Sequence, residues 1–96
     1  MPFLVHAPDY PDALERRMAA RQAHLDALAA MKAEGKVLYA AALLNDNGDM
    51  AGSVLVVDLP DRAAVEAWLE SEPYILQNVW DKNRLSVQAC KPAALK

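Results

Sequence analysis

Lys36-Val-Leu-Tyr-Ala-Ala-Ala-Leu-Leu44, Asn45-Asp-Asn-Gly-Asp49 and Gly52-Ser-Val-Leu-Val-Val-Asp-Leu59 read as a strand, a tight turn and a returning strand. The Asn47-Gly48 pair supplies the positive backbone angles that a short hairpin connection needs. Both strands are apolar at odd and even positions, whereas a sheet with one wet face alternates, so the pattern implies that both faces are covered. Working outward, Gly35 stands where a helix terminates, at the end of a long helix from about Pro11 to Glu34. Before that helix, Phe3 to Ala7 form a first strand closed by Pro8 and a polar turn through Asp12. After the hairpin, Asp61 is an N-cap for a second helix whose apolar face is Ala64, Val65, Trp68 and Leu69 and whose end is limited by Pro73. Leu85 to Cys90 alternate and form the last strand, with Tyr74 to Asn83 as an irregular approach to it.

The order β-α-β-β-α-β is that of an α+β, ferredoxin-like domain, a four-stranded antiparallel sheet with two helices on one face. Two helices cover one face only. The other is expected to pack on a second copy, giving a homodimer built sheet to sheet, a dimeric α/β barrel. The competing reading is that alanine-rich strands tolerate exposure.

The 96 residues make a single domain, 1–96. A net charge of -3 with dispersed Lys and Arg offers no basic stripe for nucleic acid. The chain opens without a charged leader and has no segment long enough to span a bilayer, so a cytoplasmic protein is expected, with no membrane partner. One cysteine, Cys90, cannot form an internal disulfide, agrees with a reducing compartment and is read as structural.

The first helix contains a conflict. At about 100° per residue, Leu14, Met18, Leu25, Leu28 and Met31 form one core-facing stripe. Arg21 falls in its middle and His24 inside its edge, with Arg17 one turn earlier. Burying an unmatched cation costs several kcal/mol, so the stripe is expected to open onto a polar cleft. The plainer alternative is that Arg21 reaches solvent and His24 is a satisfied core histidine.

Leu14-Glu-Arg-Arg-Met-Ala-Ala-Arg-Gln-Ala-His-Leu25, Glu34-Gly-Lys36 and Glu72-Pro-Tyr74 resemble the pattern of the YciI-related (YCII) proteins. The hallmark of that family is Arg-x-x-x-Arg-Pro-x-His-Leu on the first helix and Asp-Pro-Tyr/Phe after the second. The resemblance implies a ferredoxin-like subunit of a dimeric α/β barrel, with a histidine and an acidic residue as a catalytic pair in a cleft. By residue match these are His24 and Glu72, with Arg17, Arg21 and Tyr74 as substrate-binding candidates. The chain departs from the pattern at Gln22, which replaces Pro, at Glu72, one methylene longer than Asp, and at Ala41-Ala42, where members often carry Gly-Pro. Asp9 matches a commonly acidic site, although a turn-forming residue explains it equally well. His6 and Tyr39 face either the cleft or the interface.

Such a constellation supports acid/base work. An imidazole held by a carboxylate keeps a fixed tautomer and exchanges protons near neutral pH. Neighbouring arginines orient an anionic small molecule, such as a carboxylate, enolate or phenolate, through forked hydrogen bonds. No Cys-His-Asp set suggests a nucleophile, no Gly-rich loop suits a phosphate, and His6 with His24 is weak evidence for a metal; a cofactor-free site is expected. The leading expectation is a small enzyme with lyase- or isomerase-like chemistry, by resemblance elimination from an oxygenated aromatic or quinone-type ring. The alternative is a non-catalytic small-molecule-binding or regulatory dimeric module. A purely structural dimerisation unit is disfavoured by the polar residues in the helix stripe.

Overall fold

A computed structural model describes residues 1–95. Strand β1 (Pro2–Pro8) leads into helix α1 (Leu14–Ala33), followed by the hairpin of β2 (Val37–Leu44) and β3 (Met50–Asp58). Helix α2 (Arg62–Ser71), a single helical turn α3 (Pro73–Leu76) and β4 (Ser86–Ala89) complete the chain. The strands form one antiparallel sheet in the order β2-β3-β1-β4, so the fold is the α+β, ferredoxin-like arrangement.

Local chemistry sets the boundaries. Helix α1 starts at Leu14, three residues later than Pro11, because Asp12 lies in the left-handed region at φ 59, which a helix cannot pass through. It ends where expected, with Gly35 at φ 75 and Gly48 in the hairpin at φ 82. Asp61 caps α2 by accepting a hydrogen bond from the Ala64 amide. The segment after Pro73 is not wholly irregular: its first turn is helical, with Pro73 at the first position, where a missing N–H costs nothing.

Strand alternation selects the core. Phe3, Val5 and Ala7 of β1 pair with Val57, Leu55 and Ser53 of β3, and all six side chains face the helices and are buried. They pack with Ala20 and Leu28 of α1, Val65 of α2, and Tyr74, Ile75, Val79 and Trp80. The opposite face carries Leu4, Val54, Val56 and Leu43 half-buried, with His6 and Tyr39 exposed. Strand β2 is an edge strand, and its Leu38 and Tyr39 are about half exposed.

The inward face of α1 differs from the stripe its apolar residues predict. Arg17, Ala20, His24 and Leu28 are buried, whereas Leu14, Met18 and Leu25 are exposed. At 100° per residue, this is a rotation of about 50° about the helix axis, and it leaves Arg21 on the boundary between the two bands. The rotation is possible because partners for the two buried polar side chains come from elsewhere in the chain. Among the described residues, no helix is long and apolar enough to cross a membrane.

Candidate active site

Asp9 follows β1 and is held by its backbone. Its amide donates to the Ala51 carbonyl, and it bridges to Trp80 across the end of the sheet. The carboxylate therefore points at α1, where both oxygens accept from Arg17 Nη1, at 2.8 and 3.1 Å. Arg17 Nη2 donates to Ser53 Oγ at 2.8 Å, and Trp80 Nε1 donates to the same oxygen at 3.1 Å. Arg17 and Asp9 are both nearly inaccessible, so this is a buried ion pair tied into the sheet. Burial pushes the Asp9 carboxyl above its usual value, while the Arg17 guanidinium beside it acts in the opposite direction.

Two turns further along α1, His24 Nδ1 hydrogen-bonds Oε1 of Glu72. Glu72 terminates α2 and caps α3, its Oε1 also accepting from the Tyr74 amide at 3.3 Å. The Glu-Pro-Tyr sequence thus folds as a capped turn that fixes the carboxylate against α1. A carboxylate only accepts, so in this bond Nδ1 donates, and in the neutral ring Nε2 is the unprotonated nitrogen. The second oxygen, Oε2, is buried and without a partner among the described residues.

Tyr74 stacks on the imidazole, with ring centroids 3.9 Å apart and planes inclined by 15°, and Trp80 meets both rings edge-on at 5.6 Å. The Arg17 guanidinium carbon lies 4.7 Å from the centre of the Tyr74 ring. Burial raises the Tyr74 phenol above its usual value, against the pull of Arg17 and Arg21.

Arg17, His24, Ser53 and Tyr74 line a cleft of about 220 Å³ between α1 and the sheet, with Asp9, Glu72 and Trp80 behind them. Its floor is Ser53 and Leu55 of β3, and Ala40 and Ala42, opposite Leu55 and Ser53 in β2, leave the space that larger side chains would fill. Arg21, Leu25 and Met50 lie at its rim. Larger concavities, of about 450 Å³ beside Leu69 and Leu76 and about 490 Å³ beside Asp12 and Asp49, lie away from the histidine; the smaller cleft is where an imidazole, two guanidinium groups and a hydroxyl converge.

The five residues singled out in the sequence do not stand alike. His24, Glu72 and Tyr74 meet in one buried cluster. Arg17 also lines the cleft, but its two terminal nitrogens are bound to Asp9 and Ser53, and its Nε is buried without a partner. Arg21 is exposed at the rim and, among the described residues, has no acceptor. The sequence reading left Asp9 undecided and missed Ser53 and Trp80. Ser53 carried a signal: a hydroxyl in phase with Leu55 and Val57 in an apolar strand must face the core. His6 and Tyr39 lie on the opposite face of the sheet.

A profile for the YCII-related domain matches residues 1–86. Protein YciI of Escherichia coli O6:H1 is 31% identical over 87 residues, covering 84% of this chain and 89% of that protein. An uncharacterised Haemophilus influenzae protein is 30% identical over 86 residues, covering 83% and 88%. Among solved structures, 5-chloro-2-hydroxyhydroquinone dehydrochlorinase of Burkholderia phenoliruptrix AC1100, in complex with 2,5-dihydroxybenzoquinone, superposes with a TM-score of 0.85 at 26% identity over 97% of this chain and 96% of that one. An antibiotic biosynthesis monooxygenase-like protein of Bacteroides thetaiotaomicron, at 18% identity and a TM-score of 0.57, shares the fold alone.

Proposed function

The chain belongs to the YCII-related family, and from that premise we propose that it is a cofactor-independent acid/base enzyme acting on a small, anionic, oxygenated ring. The observation that carries this reading is the pairing of His24 with Glu72, which fixes the tautomer and leaves Nε2 to exchange protons at a cleft whose rim carries the exposed Arg21. His24 Nε2 takes a proton from a ring hydroxyl or an adjacent carbon. The resulting oxyanion is held by Arg21, and its electrons take the proton back at a ring carbon: where that carbon bears the leaving group it becomes tetrahedral, and loss of a second hydroxyl proton expels the group as an anion; where it bears none, the keto tautomer is released. The first outcome is elimination, the second isomerisation. Glu72 orients the imidazole and stabilises imidazolium during transfer, and Tyr74 holds its plane. The cleft walls of Ala40, Ala42, Leu25 and Leu28 suit a flat ring. The dehydrochlorinase relative, with its bound quinone, makes a hydroxylated or chlorinated hydroquinone the first substrate to try.

The protein works as a homodimer in the cytoplasm in this reading. The apolar outer sheet face and the half-exposed β2 support the dimer, and the unpaired Cys90 fits a reducing compartment.

The test is Glu72→Gln, which keeps an oxygen for Nδ1 but removes the negative charge. Turnover of 5-chloro-2-hydroxyhydroquinone should fall at least about 100-fold, with the fold intact and affinity for 2,5-dihydroxybenzoquinone changed less than about threefold. Unchanged turnover would remove the acid/base pair from the mechanism. Tight quinone binding with no turnover by the parent protein would favour a binding module.

A further inference from the structure

We propose that the groove running on from the cleft between α1 and β2 is a second binding subsite, which takes an apolar chain carried by the ring, so that the substrate is an alkylated ring and not a bare one. The ring class rests on the reading above; the chain does not. The groove encloses about 300 Å³ and shares Leu25, Leu28 and Ala40 with the cleft, so one molecule can occupy both. Beyond those three, Ala29, Val37 and Leu38 line it, and Lys32 is its one charged residue. Lys32 lies eight residues past His24, about 12 Å along the helix.

Helix spacing and a strand irregularity build this groove. On α1, Leu25, Leu28, Ala29 and Lys32 stand three or four residues apart and continue the line of Arg17, Arg21 and His24. On β2 the register slips between Val37 and Tyr39, a bulge that adds Leu38 to the edge strand and brings it to the groove. Leu25 and Leu38 are 38% and 50% exposed, an apolar pair left uncovered beside a polar site. Val37 and Ala40 pair with the core-facing Val57 and Leu55, so the groove is on the helix side of the sheet, and a second copy packed on the outer face leaves it open. A chain that lies along it trades water for leucine, valine and alanine side chains. From Leu25 to Lys32 the helix rises about 10 Å, the reach of about eight carbons at about 1.2 Å per bond.

Calorimetry with 2,5-dihydroxybenzoquinone carrying a 3-alkyl chain of one to ten carbons tests the subsite. Affinity is expected to rise about two- to threefold with each methylene, at least about 30-fold from methyl to hexyl, and to level off near eight carbons. Ala29→Phe, which fills the groove from an exposed helix position, should abolish that rise and leave the unsubstituted quinone bound as in the parent. Leu38→Ser should cut the preference for the hexyl compound at least about threefold, at parental mass in light scattering. Affinity that stays flat along the series, or a rise that survives both substitutions, would overturn the proposal. So would dissociation of the dimer by Leu38→Ser, which would assign the groove to the partner subunit. If the parent protein binds no quinone, the ring class fails, and alkanoates from butanoate to decanoate put the same question to the groove with a carboxylate for Arg21. No rise with length there, or one that Ala29→Phe leaves intact, would overturn the subsite itself.

Discussion

Arg17 and Arg21 lie one turn apart on the same helix and have opposite fates. Arg17 is on the buried row, 2% exposed, its terminal nitrogens bound to a carboxylate and a hydroxyl. Arg21, on the boundary of that row, is exposed and faces the cleft without an acceptor among the described residues. The difference teaches that a charge on an apolar helix face is not by itself a ligand-binding group. The partners differ: Asp9 and Ser53 hold Arg17 in place in the cleft wall, and Arg21 has no acceptor among the described residues.

The same contrast between a satisfied interior and an available surface runs through β3, and it gives the largest expected effect. Leu55 faces the helices at 1% exposure and Val54 faces outward. Leu55→Asp should cost about 5 kcal/mol or more, enough to unfold the protein, because it removes a core side chain and buries an unpaired charge. Val54→Asp should leave each subunit folded and dissociate the proposed dimer. Circular dichroism and light scattering separate the two, and a Val54→Asp protein that keeps its parental mass would count against a sheet-to-sheet dimer.

Next in size is Arg17→Ala, which strands the Asp9 carboxylate and should destabilise by about 3–5 kcal/mol in urea titrations. A loss under about 1 kcal/mol would mean that the ion pair is not the framework described. The smallest stability effect belongs to Arg21→Ala, within about 0.5 kcal/mol, yet it should weaken 2,5-dihydroxybenzoquinone binding about tenfold or more. Arg21→Lys should recover part of that affinity, since the charge returns without the planar fork. If Arg21→Ala destabilises as much as Arg17→Ala, the contrast between the two arginines fails.

The legible parts of this protein were local ones. Asn47-Gly48, Gly35, Asp61 and the Phe3 to Ala7 segment closed by Pro8 each fix a turn, cap or strand through neighbours in sequence, and those elements stand where they were expected, within a few residues. The inward face of α1 was not legible. It depends on Asp9, 8 residues before Arg17, and on Glu72, 48 residues after His24, and apolar periodicity does not register a polar side chain whose partner lies on another element. His24 also proves more buried than an open-cleft residue, at 6% exposure against Tyr74, so its loss would cost stability. The Glu-Pro-Tyr motif lies against His24, and the helical turn it caps was hidden because four residues are too few for periodicity to show.

The central claim is that Glu72 holds His24 with its proton on Nδ1 and Nε2 free to exchange. Side-chain ¹⁵N NMR tests it directly, since the chain has two histidines and His6, exposed on the other sheet face, serves as an internal reference. Neutral His24 is expected in the Nδ1–H form, a preference that Glu72→Gln, whose amide oxygen still accepts, should keep and Glu72→Leu, which offers Nδ1 no acceptor, should lose. A neutral His24 carrying its proton on Nε2 in the folded protein would overturn that assignment.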